Sequence, residues 1–332
     1  MLVKKFRQTG PDVIILIVII LLISWAGSFF HPDHPADLNY DIKPMPLFGF
    51  MLNITGINNL FGTLIGFLLA GLVSFLLVNF NTSVFFISER TFLPALIYIL
   101  LTSIFPREQT LTPVLPASVF LILGFRRIMD SYRVQGTAFS LFDAGMLISI
   151  GSLFYAGLIW FGLLLIFGIA YLRTGNTKEL MISLLGLATP IFILYGFFYV
   201  TGKDMDSLME TISYNLFIKD SHFHYPRLTI AVLLILGVAI LIRLIHLLSG
   251  INAKKIKSRK TFILLFWTLI ITATVYTLFK PVSVEIYWLA AIPPTYFLSH
   301  YFVFSRNRYI PEIILISLFA VSAASQIVNF VQ

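Results

Sequence analysis

The chain has 332 residues, 58% of them hydrophobic and 11% charged, with 33 Phe and no Cys. A soluble domain averages about 45–50% apolar and about 25% charged, so the excess must face something other than water. Disulfides, thiolate metal sites and cysteine nucleophiles are excluded. The formal charge of +8 sits beside apolar runs and is not interleaved with aromatics on a polar surface. That argues for membrane topology and against nucleic acid as a partner.

In chain order, the first apolar run is 11–30, preceded by Lys4, Lys5 and Arg7. Its apolar length of about 18 residues exceeds the roughly 7–15 of a signal-peptide core, so an uncleaved anchor is expected. A loop rich in acids and histidines follows, from His31 to Lys43, stiffened by Pro32 and Pro35. The segment 44–52 is apolar but too short to span, and reads as an interfacial piece or a packed loop.

Runs 60–80, 180–200, 228–249, 261–278, 286–304 and 309–330 match the roughly 20 residues that a span requires. Runs 92–105 and 114–125 are shorter, each bounded by Pro or charge. Run 144–172 is too long. As one helix it would measure about 43 Å against a core of roughly 30 Å.

Charge decides how that run is divided. A hairpin turning near Phe154–Gly157 leaves 17 of the 23 Lys and Arg on one side, taken as cytoplasmic, and 6 on the other. A single helix would export the basic run Asn252–Lys260 together with Arg306 and Arg308. The expectation is therefore an all-α polytopic membrane protein with about eleven transmembrane helices. The N-terminus is inside and the C-terminus outside. The count falls to nine if 92–105 and 114–125 form one re-entrant pair, with sidedness unchanged. The whole of 1–332 reads as a single transmembrane domain with outer loops 31–59 and 201–227, in a bacterial inner membrane.

The outer loops hold nine of the fifteen acids and four of the six histidines. Because the topology rule strips bases from outer loops, acidity alone is not evidence of a site. Rigid loops are where binding groups concentrate, which favours the His31 loop. There, His31, Asp33 and His34 offer nitrogen and oxygen ligands to a divalent metal ion, the one cofactor the sequence suggests. There is no HExxH, no GxSxG and no phosphate-binding GxxxxGK. Ionisable residues are scarce inside the spans, and Pro190, Pro293 and Pro294 are the only helix-breaking hints of a carrier.

Glycosyl transfer from a lipid-linked donor uses the remaining geometry best. Such a donor lies in the bilayer with its phosphate at the surface. A carboxylate just after the first span would act as base to the acceptor hydroxyl. Cations would hold the phosphate. Asp33, Asp37, Asp41 and Glu108 are the candidate catalytic acids. Arg107, His222, His224, Arg227 and Lys280 are the candidate substrate-binding residues.

His31-Pro32-Asp33, following the first span, resembles the His-Pro-Asp-Glu element of polyprenol-phosphate-sugar-dependent glycosyltransferases of the GT-C fold. Asp33 matches the acid of the first outer loop in those enzymes, and Glu108 matches one in the second. His34 stands where the family has Glu, and Asp37 and Asp41 are the candidates to compensate for it. The short helices expected in 144–172 are similar to the uneven spans of the same fold. The resemblance implies transfer of a sugar from a polyprenyl-phosphate carrier to an envelope glycan or protein on the outer side of the membrane. The chain as a whole also resembles uncharacterised multispan inner-membrane proteins of Bacteroidota, which imply no activity. The alternatives are a non-enzymatic subunit of an envelope complex and a lipid or solute carrier.

Overall fold

A computed structural model describes residues 2–30, 32, 42–55, 59–132, 138–173, 177–219, 254–307 and 309–331, with scattered positions between 237 and 251. The predicted span 228–249 lies almost wholly outside the described residues. The fold is helical, with no strand among the described residues.

The helices are α1 (Leu2–Phe6), α2 (Pro11–Phe30), α3 (Pro46–Thr55), α4 (Asn59–Val84), α5 (Leu93–Thr102), α6 (Val114–Asp130), α7 (Ala138–Ser152) and α8 (Leu163–Arg173). They continue as α9 (Thr177–Val200), α10 (Met205–Ser213), α11 (Ile256–Leu278), α12 (Tyr287–Ala290), α13 (Ile292–Phe304) and α14 (Tyr309–Val331). Five of them, α2, α4, α9, α11 and α14, are long and apolar enough to cross a membrane.

Length and position in the bundle are linked. The long helices α2, α9 and α14 are mostly exposed, with only 33%, 17% and 22% of their apolar windows buried. The short helix α5 is buried at every one of its ten positions, and α13 is buried along most of its length. A helix that is apolar all round and enclosed by others is core; one that shows Ile and Leu outward faces lipid. On α2, Ile15 and Ile23 are 61% and 68% exposed, while Val13 and Trp25 opposite are closed off.

The apolar run 144–172 is broken. Helix α7 ends at Ser152, and a 3-10 turn over Ala156–Gly162 intervenes before α8. The break falls where length and charge predict it. The orphan carbonyl of Leu153 accepts from the N–H of Leu47 at 3.1 Å, in the first turn of α3. One helix end thereby satisfies another.

Between α7 and α9 the backbones touch. A Cβ on Gly186 would stand 2.2 Å from the carbonyl oxygen of Phe142, and one on Gly145 would stand 2.2 Å from that of Ser183. Small residues at such crossings let dispersion contacts replace the hydrophobic drive that lipid abolishes. Pro190 follows Gly186 by one turn inside α9, where its ring removes a backbone hydrogen bond.

The turn between α4 and α5 carries Phe85 and Ser88 at φ 56° and 63°, a left-handed conformation that non-glycine residues adopt at a cost. Buried Asn81 holds it, donating to the carbonyl of Glu89 at 2.9 Å and accepting from the N–H of Ile87 at 3.2 Å. Glu89 is thereby presented to Arg7, which donates to it through Nε at 2.6 Å.

Replacing Gly186 with Ala should lower stability by about 1–3 kcal/mol, as overpacking does. Gly196→Ala, in the same helix with nothing within 4 Å of its Cβ position, should be neutral or slightly stabilising. Thermal unfolding in detergent, followed by tryptophan fluorescence, separates them. Equal midpoints for the two variants would count against the close crossing.

Candidate functional site at the outer loops

Loop 103–113, between α5 and α6, is largely buried although its one helical piece is the 3-10 turn Pro106–Glu108. Ser103, Glu108, Gln109, Thr110 and Thr112 are each at most 3% exposed. Side chains of α2 and α14 reach it. Ser28 donates to the Gln109 side-chain oxygen at 3.3 Å. Gln326 donates to that oxygen and to the Ser103 carbonyl, at 3.1 Å each. On the α4 side, a Cβ on Gly66 would lie 2.7 Å from the Thr110 carbonyl.

Glu108 sits on the 3-10 turn Pro106–Glu108 with no exposed surface. It lies within electrostatic reach of Tyr287, whose ring packs against Phe105 with centroids 4.7 Å apart. Its neighbour Arg107 points outward and is exposed. Lys280 is also exposed, just beyond the end of α11. The structure therefore does not bring Glu108, Arg107 and Lys280 to one surface. Asp33, Asp37, Asp41, His31, His34, His222, His224 and Arg227 lie outside the described residues. No group of three or more potential metal ligands gathers among the described residues.

A different acid comes forward. Glu285, on the 3-10 turn Val284–Ile286, has no exposed surface. Burial pushes its carboxyl above the ordinary carboxylate value, while Lys219 and the N–H groups of Ser283 and Glu285 itself pull the other way. Those N–H groups favour the charge but miss hydrogen-bond geometry to either carboxylate oxygen. The Tyr155 hydroxyl is pushed up too, first by burial and then by the charge of Glu285. A cleft beside this cluster is lined by Lys219, Asn215, Tyr155, Pro44 and Pro281.

Through Pro44 the cleft meets a groove of about 790 Å³ between α3, α7, α9 and α10. Its apolar walls include Phe50, Met146, Ile150, Ile193 and Phe197, and Lys203 stands among Ser207 and Thr211 at its polar end. The groove opens on the Pro190 side of the α7–α9 crossing, where the two helices no longer touch through glycine.

The polar end is a clasp between distant segments. Lys43 pairs with Glu210 of α10 and lies 5.4 Å from the centroid of the Tyr214 ring. Asn215 donates to the Lys43 carbonyl at 2.8 Å. Helix α10 starts cleanly because the Asp204 side chain accepts from the N–H of Asp206, an N-cap that satisfies one of its free donors.

The family of unknown function DUF6427 matches residues 42–327. The chain belongs to that family. No curated protein and no solved structure matches it. The matched range begins after the His31–Asp41 loop and takes in the groove, the cleft, Glu108 and Glu285.

Glu285, Lys219 and Tyr155 were not among the candidates from sequence. The available signal was an acid at the foot of an apolar run, two residues before a Tyr-Trp pair, in a loop already assigned to the outer face.

Because burial raises the value of Glu285 in the fold above its value in the unfolded chain, the native state holds its proton more tightly. Its contribution is fully present below the unfolded value and is lost as pH rises through the native one. Glu285→Gln should therefore gain stability over wild type as pH rises, by about 1.4 kcal/mol for each unit of elevation. The difference should narrow at about pH 4. Unfolding midpoints across pH test this, and a pH-independent difference would refute it.

Proposed function

We propose that the protein binds a polyprenyl-phosphate-linked sugar in the outer leaflet and acts as a GT-C-like glycosyltransferase toward an envelope glycan or protein. The observation that carries the reading is the apolar groove whose cationic end adjoins a buried carboxyl. In this account the polyprenyl chain lies along Phe50, Ile150 and Ile193. Lys203, at the polar end of the groove, and Lys219, in the adjoining cleft, face the phosphate.

The acceptor hydroxyl loses its proton to a carboxylate as its oxygen bonds to the anomeric carbon. The bond from that carbon to the phosphate oxygen breaks, and polyprenyl phosphate departs carrying the negative charge. Cations at the phosphate stabilise that charge as it develops. Asp33, Asp37 and Asp41 are the candidate bases drawn from the resemblance. Glu285 has the raised proton affinity of a better base than a solvated acid, and Lys219 lies within electrostatic reach of it.

The proposal includes a topology of about eleven spans in a bacterial inner membrane, N-terminus inside and C-terminus outside. Two sets of contacts support it. Arg7–Glu89, Arg127–Asp143 and the bonds from Lys260 to the last carbonyls of α8 gather at one end. Lys43–Glu210 and Leu47–Leu153 gather at the other. Gln326 near the chain's end meets Gln109 at the outer set.

A non-enzymatic subunit is the competing reading, favoured by the sealing of both Glu108 and Glu285 from solvent. Sugar transfer in vesicles containing the purified chain discriminates. Among Asp33→Asn, Asp37→Asn, Asp41→Asn and Glu285→Gln, at least one should lose about 10²–10⁴-fold in rate. Ile193→Trp, which fills the groove, should raise KM for the lipid donor with less effect on kcat. Normal transfer by all four acid variants would end the enzyme reading, and a stoichiometric partner protein in mild detergent would then favour the subunit.

A further inference from the structure

At the opposite end of the bundle from the groove, a cavity of about 930 Å³ opens between α1, the end of α13 and the start of α14. Its floor is apolar: Val3, Phe302, Val303 and Pro311 are all buried. Its rim carries Lys4, Arg7 and Arg306 against the single carboxylate of Glu312.

The partners already made at this rim set its free charge. Arg7 is held by Glu89. Glu312 accepts from the N–H of Leu2 at the start of α1. Lys4 and Arg306 are exposed, and neither has an ion pair among the described residues. Asn307 accepts twice, through its side-chain oxygen from the N–H of Tyr309 at 2.9 Å and through its backbone carbonyl from the Ser305 hydroxyl at 2.8 Å. The rim is thus rigid, net positive and one step from lipid, since α14 shows Ile313 and Ile316 outward at 64% and 51% exposure.

From this juxtaposition we propose that the cavity is a site for an anionic phospholipid of the inner leaflet, such as phosphatidylglycerol. Lys4 and Arg306 take the phosphate, and the acyl chains follow the exposed face of α14. The choice of a lipid over a free anion follows from the apolar floor and the adjoining lipid-facing helix. Free phosphate gains nothing from either. The choice of an anionic over a zwitterionic lipid follows from the uncompensated charge, since each Lys or Arg near a headgroup surface favours anionic lipid measurably. Arg306 adds a planar fork suited to phosphate oxygens. The inference is independent of the outer-face chemistry.

The test uses the full chain in detergent, titrated with short-chain phosphatidylglycerol or phosphatidylcholine and read by native mass spectrometry. Wild type should retain the anionic lipid in preference to the zwitterionic one. The double variant Lys4→Ala, Arg306→Ala should weaken phosphatidylglycerol binding by about thirty-fold. Lys255→Ala, Lys257→Ala removes the same charge from exposed positions outside the cavity and should change it less than about three-fold. Equal losses in the two double variants would mean a diffuse electrostatic film and overturn the site. Displacement of the lipid by millimolar inorganic phosphate would overturn it in favour of a free-anion site. Loss of folding in the first variant is excluded by an unchanged unfolding midpoint. If Lys4→Ala, Arg306→Ala lowers that midpoint, Arg306→Gln alone should still weaken binding about five-fold, and unchanged binding there overturns the site.

Discussion

The fold depends on how it satisfies a stretch of backbone that is neither helical nor wet. In a membrane domain, non-helical peptide groups are tolerated only where protein encloses them and supplies their hydrogen bonds. Loop 103–113 is such a stretch, and Ser28, Ser325 and Gln326 reach its carbonyls from two different helices. Glycine at position 66 lets α4 approach the same loop. Helices α2, α4 and α14 are therefore positioned by one shared contact surface. Together with α13 they pack around α5, which leads into the loop. The second irregular stretch, from Ser283 to Ala291, rests on the first. Tyr98 of α5 donates to the Trp288 carbonyl at 3.1 Å, and Trp25 of α2 packs against the Trp288 ring. Two breaks stacked in this way hold Glu108 and Glu285 inside the protein on turns that an uninterrupted helix would not present.

Much of the helical architecture was readable from the residues because hydropathy over about twenty positions reports exclusion from water directly. The break after Ser152 was also readable, since a run too long for the bilayer must fold back or tilt and the later bases tell which. Hydropathy does not say whether an apolar residue faces lipid or protein. Leu93–Thr102 and Pro11–Phe30 are both apolar throughout, yet one is the centre of the bundle and the other is its lipid-facing edge. Length was a partial guide: Leu93–Thr102 is too short to span and other helices surround it, whereas the equally short Pro46–Thr55 shows Phe50 and Ile54 outward.

The candidate site was legible only in part. Placing reactive side chains in the outer loops drew attention to Glu108 and Lys280, but burial separates them, and burial is a tertiary property. The Lys43–Glu210 clasp joins positions 167 residues apart, and no local pattern at either end announces it. Helix α10 sits within a stretch that composition presented as a polar loop. Its N-cap at Asp204 and the apolar Met205, Leu208 and Met209 were visible in retrospect, but the 3.6-residue period is hard to weigh over only nine residues. From sequence, Pro190 is a helix-breaking hint of a carrier. Its role beside the Gly186 crossing is more local, as the point past which α7 and α9 part and the groove begins.

The position of Glu285 is the strongest argument that this end of the bundle does more than pack. A carboxyl sealed from water without well-formed hydrogen bonds lowers stability, and an amide or apolar residue of similar size would be less costly. The costs are concentrated there: Tyr155 and Lys219 are buried beside it, so three groups that each prefer water share one small volume. The groove meets that volume through Pro44, and the Lys43–Glu210 clasp is tied to the cleft by Asn215. Clusters of this kind, with shifted proton affinities next to a concave apolar surface, are where binding and proton transfer are found. The pairing of an apolar groove with a polar cleft at its end is the shape that a ligand with a long apolar chain and a charged headgroup would fit.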